Sequence, residues 1–135
     1  MLKIIKLMCV AALAFLSGMF THGKLQKSLP AQSKKILTVK ASWYSEKSPG
    51  ANFRTANNEI FDDRALTCAI WGVPFNQKIK VTNKANGKYI IVRVNDRGPH
   101  KRFVHKGRVV DLTQKAFSQL ASLKEGLIEV ELEFL

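Results

Sequence analysis

Acidic residues and cysteines are both scarce in this chain, and each scarcity excludes something. Ten Asp and Glu stand against 22 Lys and Arg, a formal net charge of +12 at pH 7. Such an excess favours attraction to a polyanion. Nucleic acid is one such partner, and an anionic cell wall or membrane surface suits an exported protein better. The two cysteines are Cys9 and Cys68. With Cys9 inside a cleaved leader, no internal disulfide remains, so a packed core must supply the stability. A single cysteine with apolar neighbours reads as a small buried hydrophobe. There is no zinc-type spacing and no internal repeat.

The apolar run from Leu7 to Phe20 follows Lys3 and Lys6 and is broken only by polar or small residues such as Ser17 and Gly18. It is short for a bilayer span and has the make-up of a signal-peptide hydrophobic region, so residues 1–23 are expected to be a leader that engages the membrane during export. A retained anchor is the alternative. Cys9 follows Lys6-Leu7-Met8, too early for a lipoprotein site. Residues 24–36 are polar and basic and read as a flexible linker. The globular part is expected over 37–135, with about +10 of charge left on the mature chain.

From Leu37 the pattern has period two. Leu37, Val39, Ala41 and Trp43 alternate with polar residues, as do Ile79 and Val81, and Ile128, Val130, Leu132 and Phe134. These are half-buried strands. Glu129, Glu131 and Glu133 then form a solvated face. Asn83 to Gly87 has turn chemistry and joins the strand at 78–82 to the apolar run Tyr89–Val94 as a hairpin. Val109, Val110 and Leu112 suggest another strand. Thr113 is placed to cap a helix from Gln114 to about Leu123, stopped by Gly126. Short strands, one helix and long loops at 45–65 and 96–107 fit a compact β-barrel better than an α/β sheet.

Three segments offer chemistry. Asn95-Asp96-Arg97-Gly98-Pro99 puts a carboxylate at a strand end under a folding loop, which suits acid/base work; an Asp–Arg pair that merely fixes the loop is the plainer reading. Arg54 to Asp63 carries three carboxylates and several amides able to grip sugar hydroxyls, although Asp62 or Asp63 can equally cap a turn before Ala65-Leu66. Ala41-Ser42-Trp43-Tyr44 ends a strand with two aromatics, fit for a sugar ring or for the core. His100 and His105 lack a third ligand and read as exposed loop residues. No metal and no cofactor is expected.

Taken in order, these segments resemble the rare lipoprotein A family. The matching pieces are Ala41-Ser42-Trp43-Tyr44, Thr55-Ala56-Asn57 with Glu59 and Phe61-Asp62, Leu66-Thr67, Pro74-Phe75, Val81-Thr82-Asn83 and Asn86-Gly87. Val92 to Pro99 is the most specific, and Gly107 to Thr113 with Ala116 closes the match, which covers about residues 39–132. The resemblance implies a mainly β fold, a six-stranded double-psi β-barrel with one or two short helices. It implies a periplasmic or envelope lytic transglycosylase of peptidoglycan glycan strands, in their peptide-stripped form, working as a monomer and without nucleic acid. It places the chemistry on Asp96 and Glu59, with Trp43, Tyr44, Asn57, Asn95 and Arg97 contacting the glycan. The chain departs from the family at a histidine, whose position is Ile70, and at two glycines, whose positions are Ser45 and Asn58. An isoleucine cannot hold a proton, so a non-catalytic, expansin-like wall-binding barrel is the competing function. A glycan hydrolase is a third, and a histidine restored at position 70 is expected to raise activity if the site is merely crippled.

Overall fold

The structure, a computed structural model, describes residues 34–51 and 53–135. The expected leader and nearly all of the expected linker lie outside the described residues. Six strands form a closed barrel: β1 (Ile36–Tyr44), β2 (Thr67–Ile70), β3 (Lys78–Asn83), β4 (Tyr89–Asp96), β5 (Arg108–Thr113) and β6 (Leu127–Phe134). Around the barrel the order is β1-β5-β2-β4-β3-β6. Two short helices, α1 (Lys101–Val104) and α2 (Gln114–Ser118), and a 3₁₀ turn at Leu123–Glu125 complete it. No helix among the described residues is long and apolar enough to cross a membrane.

Alternation fills the interior. Ile79 and Val81, Ile90, Val92 and Val94, Val110 and Leu112, and Ile128, Val130 and Leu132 meet in one core with Ala116, Phe117 and Leu120. Each such side chain stabilises the fold by about 1.5–3 kcal/mol on full burial. Cys68 is fully buried among them. The glutamates of β6 point outward, where Glu129 pairs with Lys84 at 2.9 Å and Glu133 pairs with Lys34.

Three elements differ from the sequence expectation. The run Tyr89–Val94 is not buried throughout: Tyr89 and Ile91 are exposed, so β4 is a half-buried strand whose outer face happens to be apolar. Strand β2 has no alternation to reveal it, because all four of its residues are buried. The helix after Thr113 stops at Ser118. Thr113 does cap it, its side chain accepting from the Ala116 N–H. The Leu120 carbonyl accepts from the side-chain amides of Asn83 at 3.0 Å and Asn86 at 2.9 Å, which ties the chain just past this helix to the hairpin turn. Gly126, at φ 65°, ends the 3₁₀ turn instead. The hairpin turn closes as expected, with the Gly87 N–H donating to the Asn83 carbonyl at 2.8 Å.

Pairing is parallel for β1–β5 and β2–β4 and antiparallel for the rest. Residues 45–66 join β1 to β2 and residues 97–107 join β4 to β5, pairs that are not neighbours in the barrel, so both connections are long. Parts of both wall the groove described next.

Candidate active site

The strand register sets up a row. Asp96 of β4 lies opposite Ala69 of β2, Ala69 opposite Asp111 of β5, and Asp111 opposite Ser42 of β1. All four line one groove of about 800 Å³. Two carboxylates therefore flank a methyl group, two strand spacings or roughly 10 Å apart in the backbone. The small side chains of Ala69 and Ser42 leave room between and beside them. Gly98, at φ 156°, takes a backbone conformation that other residues rarely adopt, and it brings the 96–99 turn over this row next to Ala69.

Asp96 is held by three donors. The Ala56 N–H donates to Oδ1 at 2.9 Å, the Arg97 N–H to Oδ1 at 2.8 Å, and the Tyr44 hydroxyl to Oδ2 at 3.2 Å. Burial, together with the neighbouring Asp96 charge, pushes the Tyr44 phenol far above its ordinary range, so Tyr44 is a neutral donor. The Tyr44 ring packs on Phe61 with centroids 4.8 Å apart. The Asp96–Arg97 ion pair weighed in the sequence does not form. The Arg97 guanidinium donates to the Ile70 carbonyl at 3.0 Å and lies 3.9 Å from the Phe75 ring centroid.

Glu59 sits elsewhere and does not line the groove. Arg93 grips it with both Nη atoms at 2.6 and 2.9 Å, and Asn57 and Asn95 donate to it at 2.9 and 3.1 Å. These hydrogen bonds, Arg93 first, hold its carboxyl down at about 2. Asn57 also accepts from the Thr55 hydroxyl at 2.6 Å, and Asn95 is 3% exposed, so both amides serve the loop rather than open space. Asn58 has φ 70°, the left-handed conformation for which glycine is the usual residue and asparagine the next best. Asparagine thus fills the backbone role of the glycine expected at this position. Asp62 caps the turn before Ala65, accepting from the Arg64 N–H at 2.9 Å.

Trp43 lines the groove but is half-buried against the core, with its indole N–H donating to the Leu123 carbonyl at 3.1 Å. Ile70 is 2% exposed and belongs to the core; the residue of β2 that faces the groove is Ala69. His100 and His105 are exposed, and no group of ligands fit for a metal occurs among the described residues.

Two groove residues escaped the sequence reading. Asp111 is 7% exposed, and burial raises its pKa although Arg108 grips both its oxygens at 2.8 and 3.0 Å. The available signal was a carboxylate interrupting the apolar run Val109-Val110-Asp111-Leu112. Trp71 is 45% exposed, with its indole N–H fixed to the Pro99 carbonyl at 2.7 Å. An exposed, pinned indole suits a sugar face.

A closed six-stranded barrel of order β1-β5-β2-β4-β3-β6 with two parallel pairs is a double-psi β-barrel. The same architecture appears in the Streptomyces papain inhibitor (TM-score 0.58, 23% identity, covering 75% of this chain and 94% of that one). It appears again in a Clavibacter michiganensis expansin (TM-score 0.56, 19% identity, 75% and 50%). At these identities the likeness concerns the fold alone. Residues 36–132 match the family model for the lytic transglycolase double-psi barrel, and the chain belongs to that family. Its relatives include proteins named endolytic peptidoglycan transglycosylase RlpA. That of Rickettsia felis is 43% identical over 96 residues, covering 70% of this chain and 40% of the relative. That of Vibrio cholerae is 42% identical over 94 residues, covering 70% and 34%. The chain thus matches well under half the length of these relatives.

Proposed function

We propose that this protein is an exported peptidoglycan lytic transglycosylase that works as a monomer in the periplasm or cell envelope. It cleaves the MurNAc–GlcNAc bond of peptide-stripped glycan and leaves 1,6-anhydromuramoyl ends, without cofactor, metal or nucleic acid. The observation that carries this reading is the open row of Asp96, Ala69, Asp111 and Ser42, with the Asp96 carboxylate fixed by three uncharged donors. Lytic cleavage needs a single carboxylate that gives a proton and then takes one. Protonated Asp96 donates to the glycosidic oxygen as its bond to the muramoyl C1 breaks. The muramoyl 6-hydroxyl then bonds to C1, and its proton passes to the Asp96 carboxylate, which restores the starting state. No water enters.

Tyr44 and the Ala56 N–H aim Asp96. Glu59, gripping Arg93, Asn57 and Asn95, holds the 55–59 loop and the end of β4 together and thereby positions Ala56 and Asp96. Trp43 and Arg97 contact the glycan from the groove wall. The names of the relatives and the basic surface support the same substrate.

The competing reading, a wall-binding barrel without cleavage, rests on the expectation that the family's histidine falls at position 70, where this chain has a buried isoleucine. Incubating the protein with peptide-free glycan strands and weighing the products decides between them. Anhydromuramoyl ends support lysis, reducing ends indicate hydrolysis, and binding without products gives the second reading.

A further inference from the structure

Four arginines line the groove: Arg54, Arg97, Arg102 and Arg108. Three have their guanidinium donors engaged. Arg108 holds Asp111, Arg97 donates to the Ile70 carbonyl, and Arg54 donates to the Asn58 carbonyl at 3.0 Å. Arg102 differs. Its guanidinium lies 4.7 Å from the Phe103 ring centroid, and among the described residues it has no carboxylate and no carbonyl to donate to. Arg108 lies 4.8 Å from the same Phe103 centroid but is paired with Asp111.

The surroundings of Arg102 belong to a ligand that is both a sugar and an anion. Trp71, exposed and pinned through its indole N–H, lines the same groove and offers a flat apolar face. Lys101 holds its ammonium 5.5 Å from that ring. His100 lines the groove too; its Nδ1 accepts from the Arg102 N–H at 3.3 Å, which leaves Nε2 as a donor. An indole face and a free guanidinium lining one groove are the two groups that an acidic pyranose asks for.

We infer that Arg102, with Trp71 and His100, forms a subsite for a muramoyl residue whose lactyl carboxylate is free. This rests on reading the groove as a peptidoglycan site and adds to it the residue that sets substrate choice. In glycan that bears stem peptides the lactyl group is an amide, which has no charge for a guanidinium to grip. In stripped glycan it is a carboxylate, able to take two parallel hydrogen bonds from Arg102. Discrimination between the two is then built into the catalytic barrel itself.

The test measures binding rather than turnover. The full chain carrying Asp96→Asn, which leaves ligands intact, is titrated with three oligosaccharides of equal length: muramoyl glycan with free lactyl carboxylates, the same glycan with those carboxylates amidated, and neutral chitooligosaccharide. The expected result is about tenfold tighter binding of the free acid than of the amide. Adding Arg102→Gln should erase that preference while leaving affinity for the amide and the neutral sugar unchanged; Arg102→Lys should keep part of it. Arg102 is exposed, so the fold is not at risk, and circular dichroism checks it. Equal binding of acid and amide by the parent, or a preference that survives Arg102→Gln, overturns the inference while leaving the groove a glycan site. Failure to bind any of the three overturns the inference and the glycan reading with it.

Discussion

Glu59 and Asp96 are tied to the same loop, one through Asn57 and the other through Ala56, yet their oxygens are used in opposite ways. Glu59 is closed off by a guanidinium and two side-chain amides. Its partners neutralise it as well as orient it. Asp96 is oriented by two backbone N–H groups and a neutral phenol, and it lines the groove. Backbone donors fix a carboxylate without locking it into an ion pair, so Asp96 stays aimed into the groove. The difference shows why residue type alone could not rank the two: both are acids at loop edges, and only the identity of their donors separates a brace from a reactive group.

The largest effect should come from the reactive side of this contrast. Asp96→Asn is expected to lower glycan cleavage by about 10³-fold or more while the thermal midpoint moves little, as measured by product mass and by circular dichroism. A variant that still cleaves at the parent rate breaks the comparison outright. Ile70→His tests the alternative that the missing imidazole is what limits the site. Because the Ile70 side chain lies in the core, a histidine there should cost about 2–3 kcal/mol in urea unfolding and bring no gain in cleavage. Restored or raised turnover would mean that position 70 reaches the groove after all.

Glu59→Gln addresses the brace. The side chains of Arg93 and Glu59 are 35% and 38% exposed, so solvent screens their pair and the loss should be about 0.5–1 kcal/mol. Cleavage should fall less than about tenfold, through the position of Ala56 rather than through the chemistry. A fall as deep as that of Asp96→Asn would promote Glu59 to a reacting group. The smallest effect is on acid stability. Glu59 has a folded value of about 2 against an ordinary 4.5, so its stabilising contribution is complete above the higher value and is lost as pH falls between the two. Asp111 works in the reverse sense, since a raised folded value means that its ionisation on going upward in pH costs stability. Urea midpoints of the parent should therefore fall more steeply between about pH 4.5 and 2 than those of Glu59→Gln.

Much of the barrel was legible because β3 and β6 each keep one face wet; β1 was legible in part, since Leu37 is exposed and Ser42 buried against the expected alternation. Strand β2 was not, since Thr67-Cys68-Ala69-Ile70 is buried on both faces and carries no period. The outward Ile91 hid the alternation of β4. The segment after α2 is tied down by Asn83 and Asn86, more than thirty residues upstream. At the site, position along the chain pointed to Asp96 and Tyr44. The grip of Arg93 on Glu59 spans 34 residues, and the row that brings Asp111 level with Asp96 exists only once four strands are in register. Contacts of that kind have no local signature in the sequence.

The burial of Cys68 has a consequence of its own. The thiol is fully enclosed and pushed up to about 12 by that enclosure, with Asp96 adding to it, so the nucleophilic thiolate is essentially never present. The barrel is in this sense redox-silent. It needs no oxidant to mature and no reductant to be kept whole, and it offers no handle for mixed disulfides in an oxidising compartment. The same thiol becomes an addressable tag only when β2 leaves the sheet, so the rate at which a thiol reagent consumes it reads out how often the barrel opens.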